Sequence, residues 1–175
     1  DGGGVVVGGP QWCAARGADG QWLDASGCCV VPGLIGLHCQ GCGGHDFCDG
    51  TEEAIDAIAR HEASCGVTAI CPATMTYPED VLAPIMDAAA SYEAKRDGAA
   101  LVGINMEGPY ISPGNIGAQH PAYPHLPDEA MFRRLQARSG NLIKLVDVAP
   151  AADGPPDLIR SVPSHLRVSI PPPQT

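Results

Sequence analysis

The chain has 175 residues, with 20 acidic against 10 basic side chains and a formal net charge of −10, which argues against a nucleic-acid binder, whose phosphate contacts need a concentrated basic patch, and disfavours a polybasic membrane-surface protein. Hydrophobic residues make up 45% and charged residues 17%, which is enough apolar material for a core and too little charge for an acidic disordered chain. Its 22 glycines and 17 prolines imply many turns, as in a succession of short βα units rather than a helical bundle.

In chain order, Val5-Val6-Val7 and Gln21-Trp22-Leu23 read as short β runs between glycine turns, a fragment of a small β domain over 1–30. From 31 to 175 the rhythm changes. An apolar run over 30–37, broken by Pro32-Gly33, leads into a glycine-rich loop. A helix is predicted over 52–65: Thr51 suits the N-cap, Glu52 and Glu53 suit the positive end of the dipole, and Ile55, Ile58 and Ala59 share one apolar face before Gly66. A strand over 68–71 follows, then a helix over 78–95 kinked at Pro84 and a strand over 101–106. Next come a helix over 128–137 with Met131, Phe132 and Leu135 on one side, and a strand over 141–148. A short helix over 157–161 and a strand start over 168–170 complete the pattern. Alternation with apolar strands predicts an α/β fold whose parallel sheet is buried on both faces. Four βα units and the start of a fifth make an incomplete (β/α)8 TIM-type barrel, because a closed one takes about 250 residues.

Eight cysteines, none beyond Cys71, are too sparse for a disulfide scaffold. Cys39-Gln40-Gly41-Cys42 lacks the second pair of a zinc ribbon, and it sits in a glycine-rich segment rather than at a helix start, where a thioredoxin-type motif belongs. The thiols are therefore expected to be reduced and to fill tight spaces. No signal-peptide pattern opens the sequence and no apolar run nears the ~20 residues of a membrane span, so the expected location is the cytoplasm.

In parallel α/β folds reactive groups collect at the C-terminal ends of strands. His38 and Gln40, two apart, share one face of an extended strand; they either present two groups to one metal ion or are hydrogen-bonded structural side chains. Glu107, between an apolar strand and Gly108-Pro109, needs a basic partner or a cation if it is buried. His120, His125 and His165 fall in loops or helix ends and are expected to face solvent.

Four runs stand in a recognisable order: Val30-Val31-Pro32-Gly33-Leu34-Ile35-Gly36-Leu37-His38, Gly41-Cys42-Gly43-Gly44-His45-Asp46, Met106-Glu107-Gly108-Pro109-Tyr110-Ile111 and Gly117-Ala118-Gln119. Over 25–170 the chain resembles the N-terminal part of the N-acetylglucosamine-6-phosphate deacetylase family of the amidohydrolase superfamily. The resemblance implies deacetylation of N-acetylglucosamine 6-phosphate to glucosamine 6-phosphate and acetate in amino-sugar catabolism. It also implies a divalent metal ion, zinc, as cofactor, water activated by that ion, and an aspartate as base. Carried over position by position, Glu107 falls on the metal-ligand glutamate, and Ala118 and Gln119 on the pair that contacts the amino sugar. His38 and Gln40 fall on a first-strand pair that is two histidines in many members, so Gln40 departs from a two-metal pattern, and Gly36 stands where an aspartate is usual.

Val168-Ser169-Ile170 runs into Pro171 rather than the family's Gly-His, and the base aspartate, a further histidine ligand and the phosphate-binding residues are expected beyond Thr175. The chain alone is accordingly expected to bind zinc weakly and to be inactive. Unpaired strand edges near Val5 and at 168–170 are expected to make it a homo-oligomer. Two alternatives stand beside this reading. One is another metal-dependent amidohydrolase, against which Glu107-Gly108-Pro109 speaks because cyclic-amide hydrolases use a modified lysine. The other is a non-catalytic, truncated metal- or partner-binding remnant.

Overall fold

The computed structural model describes residues 14–16, 22–24, 27–95, 97–112, 114, 116–149 and 167–169. Backbone proximity divides the chain into two units, Asp1–Pro32 and Gly33–Thr175. In the first, β1 (Ala14–Arg16) and β2 (Trp22–Asp24) pair antiparallel with Ala14 opposite Asp24. The β run expected at Val5 lies outside the described residues, as do the helix expected over 157–161 and His165.

In the second unit β3 (Leu34–Gly36) leads into a short hairpin of β4 (Gly41–Cys42) and β5 (His45–Asp46), followed by a single 3₁₀ turn over Phe47–Asp49. Then come α1 (Glu52–Ser64), β6 (Val67–Ile70), α2 (Glu79–Ser91), β7 (Ala100–Leu101), β8 (Ile104–Met106), α3 (Glu129–Arg138), β9 (Ile143–Asp147) and β10 (Arg167–Ser169). β3, β6 and β7 form one parallel group, and β8, β9 and β10 another. The chain stays extended beyond β6, where Asn105 N–H donates to the Pro72 carbonyl (2.9 Å) and Thr74 N–H to that of Asn105 (3.0 Å), joining the groups through an Ala73–Asn105 bridge. This is an unclosed parallel sheet with alternating helices, an incomplete TIM-type barrel preceded by extra β elements.

Local chemistry accounts for the helices. Thr51 Oγ1 accepts the Ala54 N–H (3.2 Å) at the start of α1, and Gly66 takes a positive φ of 85° just past its end. Asp128 caps α3 by accepting the Met131 N–H (3.0 Å). Ile55 and Ile58 of α1, Leu82, Ile85 and Met86 of α2, and Met131, Phe132 and Leu135 of α3 are buried with Ile70, Ile104, Met106, Ile143 and Val146 of the strands. Among the described residues no helix is long and apolar enough to cross a membrane.

Three expectations change. Helix α2 stops at Ser91 rather than at 95, because Tyr92 turns to extended backbone (φ −66°, ψ 124°). The strand expected over 101–106 is two pieces with different neighbours, β7 beside β6 and β8 beside β9. Burial on both faces fails for β3, where Leu34 and Ile35 are 59% and 62% exposed. Among the described residues β3 has a strand neighbour on one side only.

Candidate active site

β3 ends at Gly36, before His38, yet its direction is kept by Cys71 N–H donating to the Gly36 carbonyl (2.7 Å) and Ala73 N–H to that of Cys39 (2.9 Å). His38 and Gln40 therefore reach the same point, as their spacing predicts, from just past the strand rather than within it. Gln40 Nε2 donates to Glu107 Oε2 at 3.0 Å, and His38 Nε2 lies 3.6 Å from the same oxygen. Glu107 follows β8, whose three residues are all buried, so its position is fixed by the core. Its side chain is 25% exposed and that of His38 53%. No lysine or arginine pairs with Glu107 among the described residues, so the basic-partner alternative is not what the structure presents.

Asn105, on β8, lies behind the imidazole with Nδ2 3.2 Å from His38 Nδ1, while its Oδ1 is buried with no hydrogen-bond partner. Carboxamide nitrogen and oxygen exchange places by a half-turn. With Oδ1 turned to accept from Nδ1–H, the Nε2 lone pair of His38 faces Glu107, the tautomer a metal ligand needs. The donor set fits a divalent ion: two ligands about 2.0–2.2 Å from a tetrahedral zinc lie about 3.4 Å apart, close to the 3.6 Å between His38 Nε2 and Glu107 Oε2. Gln40, turned likewise, offers its carboxamide oxygen. Asn105→Leu is expected to lower affinity for Mn²⁺, an oxygen-seeking probe, roughly 10–100-fold, the usual cost of losing an outer-shell partner. Isothermal titration would measure it, and an unchanged affinity would assign Asn105 to packing alone.

Thr76 links this cluster to the second predicted pair. Its N–H donates to the Oε1 of buried Gln119 at 2.7 Å, and its Oγ1 donates to the Glu107 carbonyl at 3.5 Å. Gln119 is thereby tied to the backbone that carries Glu107, while Ala118 is exposed. Asp147 ends β9, next to β8. Burial, then the charge of Glu107, raises its carboxyl above the usual value, against the opposing pull of the Ser169 hydroxyl and His38. Asn105 and Asp147 stand near the ends of β8 and β9, where functional roles concentrate, but nothing in their local sequence marks them out.

His45 and Asp46 serve local structure. Asp46 caps the 3₁₀ turn through Cys48 N–H (2.7 Å), and His45 Nδ1 lies 3.9 Å from Asp49 Oδ2. His120 and His125 are exposed as expected, the first stacked on Tyr123 and the second edge-on to Tyr110. The cysteines depart from their expectation, since Cys71 alone among those described is buried. Burial raises the Cys48 thiol to about 12 and, ahead of the Cys39 and Glu62 charges, the Cys42 thiol to about 11. Cys39, Cys42 and Glu62 bring their ligand atoms within 4.8 Å of one another, a cluster that could coordinate a metal ion.

No protein-family model matches the chain. Relatives include the N-acetylglucosamine-6-phosphate deacetylase of Bacillus subtilis (strain 168), 31% identical over 142 residues, which are 79% of this chain and 35% of that protein. The Vibrio furnissii protein of the same name is 34% identical over 139 residues, 78% of this chain and 34% of its own length. The crystal structure of N-acetyl-D-glucosamine-6-phosphate deacetylase from Mycobacterium smegmatis superposes with a TM-score of 0.71 at 25% identity, over 80% of this chain and 36% of that one. The chain thus spans about a third of the length of the relatives it matches. Over that part it is a relative of the N-acetylglucosamine-6-phosphate deacetylases.

Proposed function

We propose that this chain serves the metal-dependent deacetylation of N-acetylglucosamine 6-phosphate to glucosamine 6-phosphate and acetate. The observation that carries the reading is the convergence of His38 Nε2 and the Gln40 carboxamide on one oxygen of Glu107, at the strand ends where chemistry in this fold collects. Glu107 and His38 hold a divalent ion, zinc by family resemblance, and Gln40 adds a neutral oxygen. The ion supplies Lewis acidity toward the acetamide carbonyl and water. Asn105 holds the imidazole in its ligand tautomer. Thr76, bonded to both Glu107 and Gln119, keeps the Gly117-Ala118-Gln119 turn beside the ion, where Ala118 and Gln119 meet the amino sugar. Residues 1–30 then belong to a small flanking β domain and 31–175 to the first half of the barrel. The seven described cysteines are all free thiols, which suits a reducing, cytoplasmic setting. The open strand edges favour a homo-oligomer.

Calorimetric titration of the Zn²⁺-loaded chain with N-acetylglucosamine 6-phosphate, beside glucose 6-phosphate, tests the reading. Binding of the acetamido sugar alone is expected, and it should vanish on chelation and in Glu107→Ala. Equal binding of glucose 6-phosphate, or binding indifferent to chelation, would refute it.

A further inference from the structure

We infer that Cys39, Cys42 and Glu62 form a second metal site, selective for a thiophilic divalent ion such as Zn²⁺ or Cd²⁺, which fastens the His38–Gln40 segment to α1. The inference stands on geometry independent of the function proposed above. Cys39 lies between His38 and Gln40 in sequence, yet its side chain meets a different set of partners. Its Sγ approaches the Gly41 carbonyl (3.6 Å) and shares a cluster with Cys42 and Glu62, whereas His38 and Gln40 reach Asn105 and Glu107. Residue alternation along an extended chain produces this split.

Three separate elements contribute the ligands: the end of the β3 extension, the β4–β5 hairpin and the last turn of α1. Cys42 Sγ is 4.0 Å from Glu62 Oε1. A sulfur and a carboxylate oxygen on one tetrahedral zinc, with bonds of ~2.3 and ~2.1 Å, lie about 3.6 Å apart. Closing on an ion brings that pair together by about 0.4 Å and any other pair of the cluster, all within 4.8 Å, by no more than about 1.2 Å. Glu62 is partly buried and forms no salt bridge among the described residues. Among the described residues, that carboxylate has two thiols within 4.8 Å and no salt-bridge partner. The zinc-ribbon test from sequence fails for want of a second cysteine pair; here a carboxylate from a helix takes that place, with the remaining position open to water or to the exposed thiol of Cys65, three residues after Glu62.

Thiolate sulfur selects Zn²⁺, Cd²⁺ or Co²⁺ over Mg²⁺ and Mn²⁺, so the two sites are separable by probe. Titration of the reduced 175-residue chain with Co²⁺ is expected to raise a sulfur-to-cobalt charge-transfer band in the near ultraviolet. The band should persist in Glu107→Gln and in Cys28→Ser/Cys29→Ser, and disappear in Cys39→Ser/Cys42→Ser. Glu62→Gln is expected to weaken Co²⁺ binding about tenfold or more. Absence of the band, or its survival in Cys39→Ser/Cys42→Ser, would overturn the site. Should that double variant lose its helical circular dichroism, Glu62→Gln decides, since an unchanged Co²⁺ affinity there overturns the site equally.

Discussion

Glu107→Ala is expected to lower affinity for Mn²⁺ by more than about 100-fold, beyond the cost of losing any outer-shell partner. Glu107 Oε2 is the point on which Gln40 and His38 converge. Without it the remaining donors are neutral, and neutral donors hold an oxygen-seeking dication poorly. The metal-free fold should change little, by less than about 1 kcal/mol, because relief of a half-buried carboxylate offsets one lost hydrogen bond. Loss of binding is thus separable from loss of fold by pairing titration with urea denaturation.

The substitution has a second readout at Asp147, whose carboxyl is raised first by burial and then by the charge of Glu107. Removing that charge moves it back toward the ordinary aspartate value, which carboxyl chemical shifts would follow. The sign for stability follows from linkage. A carboxyl raised in the folded state disfavours the ionised fold, so its contribution is intact below the unfolded-state value and is lost as pH rises through the raised native one. In Glu107→Ala that window narrows. A pH–stability profile identical to the parent's would mean the two carboxylates do not interact.

Gly41→Ala should be among the most damaging of the glycine substitutions near the site, costing about 3 kcal/mol or more. A Cβ at Gly41 would run into the His45 carbonyl oxygen and sit 2.8 Å from the Asp46 Cα. Those are backbone atoms of the paired strand and cannot rotate aside. The hairpin would have to open, and with it the hydrogen bond from Phe47 N–H to the Gln40 carbonyl (2.7 Å), which ties a buried aromatic to the segment that carries His38 and Gln40. Gly44→Ala, three residues on, meets nothing within 4 Å and only strains a φ of 86°, worth about 1–2 kcal/mol. Urea midpoints of the two variants separate steric collision from backbone strain; equal losses would remove the collision account.

Much of the frame is written locally. Thr51, the two glutamates after it and Gly66 bound α1 in the sequence as they do in space, because capping needs only near neighbours. Strand-end placement likewise singles out His38, Gln40 and Glu107, whose side chains meet in space. What escapes is whatever depends on partners far along the chain. The apolar run over 101–106 carries no mark of the change of neighbour between β7 and β8. The hairpin after Gln40 has strands of two residues, too short for periodicity, although Gly43 and Gly44, both at positive φ, are the signal a tight hairpin turn requires. Asn105 behind His38 and Glu62 beside Cys42 are meetings of residues 67 and 20 positions apart. No local pattern encodes them.

Strand β3, bonded along one side among the described residues and with Leu34, Ile35 and Leu37 turned to solvent, has consequences for time rather than for geometry. A strand secured on one edge lifts by local fraying, at a fraction of the free energy of global unfolding. His38 and Gln40 travel with it, while Glu107 stays with the buried β8. Each fraying event would therefore dismantle the proposed ligand set from one side. The residence time of an ion held at Glu107 as proposed would then depend on the opening rate of these three residues, and amide exchange along 34–36 and ion dissociation would be two clocks for one motion.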